Sequence, residues 1–167
     1  MQVLTVINRL SPLERQVIAA AQADLPVRVG HIARDFGVPV KASTLPAGIS
    51  GEIRPAGNSF EIKVNRHDSR TRQRFTVAHE LAHFLLHRDQ IGSGVTDDAL
   101  YRSSLSDSRE AEANRLAAEI LMPRDSVREA LGSVGGTIQE RVTALAEMFG
   151  VSEAAMAIRV EQIALSR

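Results

Sequence analysis

The stretch FTVAHELAHFLLH, residues 75–87, places three histidines and one glutamate among mostly apolar residues. With the helical repeat, one face of this stretch is apolar and consists of Val77, Leu81, Phe84 and Leu85. The histidines on the other face are flanked by Phe75, Ala82 and Leu86. The helix is therefore predicted to be buried on nearly all sides. Buried imidazoles need polar partners, and a metal ion supplies one. The stretch therefore predicts a central helix that carries a metal site.

Residues 79–83 have the spacing H-E-x-x-H. His79 and His83 lie one helical turn apart, so both imidazoles can reach the same ion. Glu80 lies beside them, where it can take a proton from an attacking water without binding the ion itself. The alternative interpretation is an ordinary core helix in which the pattern occurs by chance, so the rest of the chain has to decide.

A zinc ion that keeps one position for water needs a third protein ligand. His87 is eight residues after His79, about 12 Å along a continuous helix, which is too far for bonds of about 2 Å. We predict that His87 is exposed at the helix end, or at most supports a ligand by a hydrogen bond.

The helix REAEANRLAAEILM, residues 109–122, offers a better candidate. Its apolar stripe predicts that Glu110 faces inward, whereas Glu112 and Glu119 point away. Asn114, one turn later, is placed to support Glu110 by a hydrogen bond. The simpler alternative for Glu110 is an acid in the first helical turn, where the helix dipole favours negative charge.

The remaining segments predict an α+β fold. The stretch SPLERQVIAAAQA begins with a capping pattern, Ser11 followed by proline and Glu14, and RVGHIARDFGV is a short helix closed by Gly37. The runs VPVKAS, GISGEIR and SFEIKVN predict a small antiparallel sheet with a hairpin turn at RPAGNS. A helix over residues 69–87 packs on this sheet. After the helix at residues 109–122, two more are expected, one ending near Phe149 and one starting at Ser152.

Length and composition fit a single domain over residues 1–167, with residues 1–10 and the loop 88–108 as the segments expected to be flexible. The formal net charge is zero and there is no cysteine, so any metal must be held by histidine or carboxylate. The N-terminus is a poor signal peptide and no apolar run is long enough to span a membrane. We therefore expect a cytoplasmic protein without membrane or direct nucleic-acid partners.

The paired motifs RFTVAHELAHFLLH and EAEANRLAAEILMP resemble the ImmA/IrrE family of bacterial metallopeptidases, and the IKVN and LAEMFGVS segments are similar as well. The resemblance covers roughly residues 32–160. It implies a minimal zincin-like fold in which His79, His83 and Glu110 hold zinc and Glu80 is the general base. It also implies a typical substrate, a transcriptional repressor or antitoxin, often encoded nearby on a mobile element or stress-response locus.

The same residues leave several details open. A site of two histidines and one glutamate favours zinc, although manganese or iron also fit. A substrate peptide could add as a strand beside the sheet, and SFEIKVN is expected to be its edge strand. Tyr101, in the long loop, either closes over the site or is an ordinary solvated tyrosine, and His31 and His67 are expected to be ordinary polar residues. The basic stretch 61–74 is expected to be a solvated face, unless it pairs with Asp97, Asp98 and Asp107 or an acidic partner.

Two rival functions remain. The segment LAEMFGVSEAAMAIRV has the spacing of a helix-turn-helix at Ala146 and Gly150, but its second helix offers almost nothing that reads base edges. A packing pair of helices is the expected interpretation. The second rival is a metal-binding regulator that holds a repressor or antitoxin without cutting it.

Overall fold

A computed structural model of the chain describes residues 5–91 and 107–166. Within these residues, seven α-helices have the bounds α1 Pro12–Ala21, α2 Val29–Asp35, α3 Arg70–His87, α4 Asp107–Leu121, α5 Arg124–Ser133, α6 Ile138–Phe149 and α7 Glu153–Leu165. Short 3-10 helices at Val6–Arg9 and Arg88–Gln90 precede α1 and follow α3. The predicted α+β class is confirmed.

Local sequence signals account for several helix boundaries. Ser11 and Glu14 form a reciprocal capping box at the start of α1, as predicted. Ser69 and Ser152 accept hydrogen bonds from the first turns of α3 and α7. Two helices were predicted after α4, and the structure has three. The additional boundary lies between α5, which ends at Ser133, and α6, which begins after the capping box at Thr137.

The sheet has three strands, β1 Val40–Ser43, β2 Gly51–Ala56 and β3 Ser59–Asn65, in the order β1-β3-β2. The β2–β3 hairpin is antiparallel, but β1 runs parallel to β3, so the prediction of a purely antiparallel sheet is wrong for this pair. The prediction that SFEIKVN is an edge strand is also wrong. This segment is β3, which buries Ile62 and Val64 and lies at the centre, where both of its backbone edges find partners.

Helix α3 lies between the sheet and α4 and forms the middle of the core. Ala78, Leu81 and Ala82 have no exposed surface. The sheet approaches α3 closely at Gly51, where an added Cβ would lie 2.3 Å from Cγ2 of Thr76 and 2.8 Å from the backbone oxygen of Lys63. Only glycine allows this approach, which places the start of β2 next to the histidine-bearing part of α3.

The segments predicted to be flexible are described only in part. The 3-10 helix Val6–Arg9 buries Val6 and is followed by the buried Leu10. Residues 92–106 lie outside the described part of the chain, and α4 begins directly after them. A single domain over residues 1–167 stays a prediction.

Candidate metal centre

Helices α3 and α4 bring three of the predicted residues together. Nε2 of His79 and Nε2 of His83 are 3.2 Å apart. Carboxylate oxygens of Glu110 lie 3.1 Å from Nε2 of His79 and 3.0 Å from Nε2 of His83. One potential ligand atom from each side chain falls within a group no wider than 4.8 Å. Glu110 faces α3, as the helical projection predicts.

These spacings fit a divalent metal ion. Ligands bound tetrahedrally at about 2.0–2.1 Å are separated from each other by about 3.3 Å. The two imidazole nitrogens are 3.2 Å apart, close to this value, and each faces a different oxygen of Glu110, Oε2 for His79 at 3.1 Å and Oε1 for His83 at 3.0 Å. Two imidazoles and a carboxylate suit zinc and also accept manganese or iron. The cluster could therefore hold a divalent metal.

Asn114 supports the cluster through His79. Its side-chain oxygen lies 2.9 Å from Nδ1 of His79. An amide oxygen can only accept, so Nδ1 carries the proton and Nε2 keeps its lone pair for the cluster. The sequence predicted Asn114 as a partner of Glu110, and the structure shows a contact of Asn114 with His79. Asn114 lies one turn after Glu110 on α4. Glu110 contacts Nε2 of His79, and Asn114 contacts Nδ1 of the same ring.

His87 is buried, with 3% of its surface exposed, so its predicted exposure at the helix end is wrong. Its Nδ1 lies 3.0 Å from Nδ1 of His83. Its Nε2 lies 3.8 Å from a carboxylate oxygen of Glu112, which also forms an ion pair with Arg9. The contacts of Glu112 with Arg9 and His87 could not be predicted from the helical projection of α4, because the 3-10 helix Val6–Arg9 that packs against α4 is distant in sequence.

Glu119, like Glu112, was predicted to point away from the core. Instead it pairs with the buried Arg159 of α7 at 3.3 Å. Arg159 also donates a hydrogen bond to the backbone oxygen of Met122 at 2.9 Å. The sides of α4 that look exposed in projection are thus covered by elements distant in sequence.

Burial and neighbouring charges move the pKa values of the three histidines in different directions. Burial lowers the pKa of His83 to about 4, with a further contribution from the charge of His79. Burial acts on His79 in the same direction, but the hydrogen bond to Glu110 and the charges of Glu80 and Glu110 outweigh it and raise the pKa. Burial, followed by the charge of Arg9, lowers the pKa of His87. His83 is consequently neutral at pH 7, the form that can bind a metal.

Glu80 is buried at the edge of an open cleft of about 540 Å³ that it shares with His79 and Glu110. The cleft walls come from the start of β2, the first turns of α3 and the face of α7, and they include Ser50, Arg72, Phe75, Thr76, Ala155 and Ile158. None of these wall residues was predicted from the sequence. The sequence signal for Ile158 was weak, because it is one large apolar side chain on a helix rich in alanine. In the structure this side chain is 58% exposed.

The remaining candidates do not join the cluster. His67 is exposed and lies 3.4 Å from the hydroxyl of Thr44, and His31 lines a separate cavity beside α2. Tyr101, Asp97 and Asp98 lie outside the described residues. The helix-turn-helix-like segment forms α6 and α7, which pack on each other, and α7 supplies a wall of the cleft. Among the described helices, none is both long and apolar enough to cross a membrane.

Comparisons with known proteins assign the chain to a family. The chain belongs to the peptidase M78 family, the IrrE N-terminal-like domain, whose sequence profile matches residues 33–161. It is 36% identical over 125 residues to the radiation response metalloprotease IrrE of Deinococcus radiodurans, and the match covers 74% of this chain and 37% of that protein. The chain thus spans little more than a third of the length of this relative. The matched family is a peptidase family, and this relative is named a metalloprotease.

A solved structure, a transcriptional regulator from Mycobacterium tuberculosis, is similar to the fold with a TM-score of 0.54. The sequences are 18% identical, and the match covers 90% of this chain and 47% of the other. At that identity the similarity shows the fold alone.

Proposed function

We propose that the protein is a zinc-dependent endopeptidase of the cytoplasm that cleaves a partner protein, a transcriptional repressor or antitoxin. His79, His83 and Glu110 are the metal ligands and Glu80 is the general base. One observation carries the proposal: the three ligand atoms converge within 4.8 Å beside a buried glutamate at an open cleft. Membership of a metallopeptidase family supports it.

The chemistry divides between the ion and the side chains. A zinc ion supplies a Lewis acid that acidifies water and polarises a peptide carbonyl. Glu80 takes the proton of the attacking water and passes it to the leaving amine. Asn114 keeps the lone pair of His79 directed at the cluster, and burial keeps His83 neutral.

The substrate peptide binds in the cleft as an added strand beside β2. This strand, unlike the central β3, has one edge without a strand partner in the described sheet. Ser50, immediately before β2, lines the cleft together with His79 and Glu80. Backbone hydrogen bonds to a strand edge hold a peptide extended, which exposes its carbonyl groups to the site.

The deciding experiment compares new protein N-termini in the native host, with wild type set against Glu80→Gln. The substitution keeps the size of the side chain and removes the base, and Glu129→Gln, an exposed glutamate on α5, is the matched control. We expect a new N-terminus in wild type and in the control that is absent in Glu80→Gln. Metal content of the purified variants, measured by mass spectrometry, should be equal.

Full biological function of Glu80→Gln would refute the peptidase and favour a regulator that binds its partner without cutting it. Mass spectrometry of the purified protein also identifies the bound metal, because zinc, manganese and iron are resolved in the same measurement.

A further inference from the structure

A chain of polar contacts leads from the metal cluster to the N-terminal segment. Nδ1 of His83 lies 3.0 Å from Nδ1 of His87. Nε2 of His87 faces Oε1 of Glu112 at 3.8 Å, which is longer than a hydrogen bond, and the other oxygen of Glu112 pairs with Arg9. His83 and His87 are 2% and 3% exposed, so water has little access to the contact between the two rings.

The direction of the hydrogen bond between the rings of His83 and His87 follows from the geometry. Nε2 of His83 faces Nε2 of His79 and the carboxylate of Glu110, so this nitrogen must present its lone pair to bind an ion. A neutral imidazole carries only one ring proton, which must then lie on Nδ1 of His83. That proton is donated to Nδ1 of His87, which accepts it. His87 therefore carries its own proton on Nε2, the nitrogen that faces the carboxylate of Glu112.

We propose that His87 is a positioning residue that holds His83 in its metal-binding tautomer and orientation, and that the negative charge of Glu112, which pairs with Arg9, favours the proton of His87 on Nε2. The proposal rests on the metal site described under the proposed function. It gives each ligand histidine a separate partner: Asn114 for His79 and His87 for His83. His87 is not itself a ligand, because its contact is with the nitrogen of His83 that points away from the cluster.

Arg9 lies outside the residues that the family profile matches. The family profile begins at residue 33, whereas Arg9 lies in the 3-10 helix Val6–Arg9. Val6 and Leu10, on either side, are buried, which fixes this segment against the body of the protein. The N-terminal segment thus contributes a charge that supports a ligand on α3.

The test is the dissociation constant for zinc, measured on the full chain by competition with a chromophoric chelator at one pH near neutrality. We expect His87→Phe to weaken zinc binding by about 10–100-fold, the usual effect of removing a partner of a ligating histidine. His87→Asn, whose amide oxygen can accept in place of Nδ1, should recover most of this loss. Glu112→Gln and Arg9→Gln should each give a smaller loss than His87→Phe.

Matched controls separate this effect from general damage. His67→Phe replaces an exposed histidine remote from the cluster, and Arg128→Gln removes an arginine that pairs with Asp125 on the surface of α5. Both should bind zinc as wild type does, and circular dichroism checks that each variant is folded. Unchanged zinc affinity in folded His87→Phe would overturn the proposal.

A second measurement on wild type remains decisive even where His87→Phe does not fold. Nitrogen-15 NMR of the histidine side chains in the zinc-bound protein should show His87 protonated on Nε2, with an unprotonated Nδ1 that accepts the proton of His83. Protonation of His87 on Nδ1 would overturn the proposal while leaving zinc binding intact. Failure of wild type to bind zinc at all would instead refute the metal site and, with it, both proposals.

Discussion

His83 is the most tightly constrained side chain of the candidate centre. Three groups lie within hydrogen-bond distance of its two ring nitrogens: His79, His87 and Glu110. Burial and the charge of His79 lower its pKa to about 4. Its neutral state, which metal binding requires, is therefore provided by the fold before any ion arrives.

This pKa has a consequence for stability in acid. An unfolded histidine titrates near 6.5, so between pH 6.5 and about 4 the unfolded chain binds more protons at His83 than the folded chain. As the pH is lowered from 6.5 to about 4, the free energy of unfolding of the metal-free protein should therefore fall, and His83 contributes up to about 3 kcal/mol to this loss. His79, whose pKa is raised, opposes part of this loss.

Denaturant titrations followed by circular dichroism at several pH values measure the effect. His83→Gln should flatten the dependence between pH 6.5 and 4, whereas His67→Gln, at an exposed position, should leave it as in wild type. The same slope in wild type and His83→Gln would show that the low pKa is incorrect.

At the level of the elements, Arg74 of α3 connects α3 to the C-terminal end of α6. Arg74, in the basic stretch predicted to be solvated, is only partly exposed. It donates hydrogen bonds to the backbone oxygens of Gly150 and Phe149 at 3.0 and 3.4 Å. These carbonyls lie at the end of α6, where helix geometry leaves them without partners and a cation is favourable. The histidine-bearing helix is thereby joined to the helix pair that borders the cleft.

Gly150 should be sensitive to substitution at this junction. It has φ of 65°, and an added Cβ would lie 2.7 Å from Nε of Arg74 and 3.1 Å from Cβ of Pro26. Gly150→Ala should lower the free energy of unfolding by at least about 1–2 kcal/mol, because the left-handed conformation alone has about this cost.

Gly132→Ala is the matched control, since Gly132 lies within α5 and has no atoms within 4 Å of a built Cβ. It should be neutral or raise stability by up to about 1 kcal/mol. Thermal and denaturant unfolding measure both variants. Equal effects of the two substitutions would contradict the role assigned to Gly150.

At the scale of the whole molecule, the cluster joins two helices that are far apart in sequence. His79 and His83 lie on α3 and Glu110 on α4, and residues 88–106 separate the two helices. Bringing these groups together requires the native packing of α3 on α4. An ion bound by all three ligands therefore binds the folded state in preference to the unfolded state and stabilises it.

Metal addition should accordingly raise the melting temperature. At free zinc a thousand times the dissociation constant the gain is about 4 kcal/mol, which corresponds to roughly 8–16 °C for a chain of this size. A chelator should reverse the shift. Glu110→Gln should lose most of it, and Glu129→Gln should retain it. No shift in wild type, or an equal shift in Glu110→Gln, would rule out the three-ligand site.

The sequence by itself determined the features that depend on short distances along the chain. The pairing of His79 with His83 follows from the helical repeat alone, and so does the inward direction of Glu110 on α4. The capping box at Ser11 and the strand segments were also readable, because each is a pattern of neighbouring residues. The family resemblance rested on the same local motifs.

Which elements cover which faces depends on the packing of segments that are distant in the chain. The central position of β3, the burial of His87 behind Glu112 and Arg9, and the cleft wall supplied by α7 all depend on contacts between distant segments. A helical projection shows where a side chain leaves its own helix, but it carries no information about what packs against that side. That information comes from the long-range packing free energy of the whole chain, which short sequence patterns do not contain.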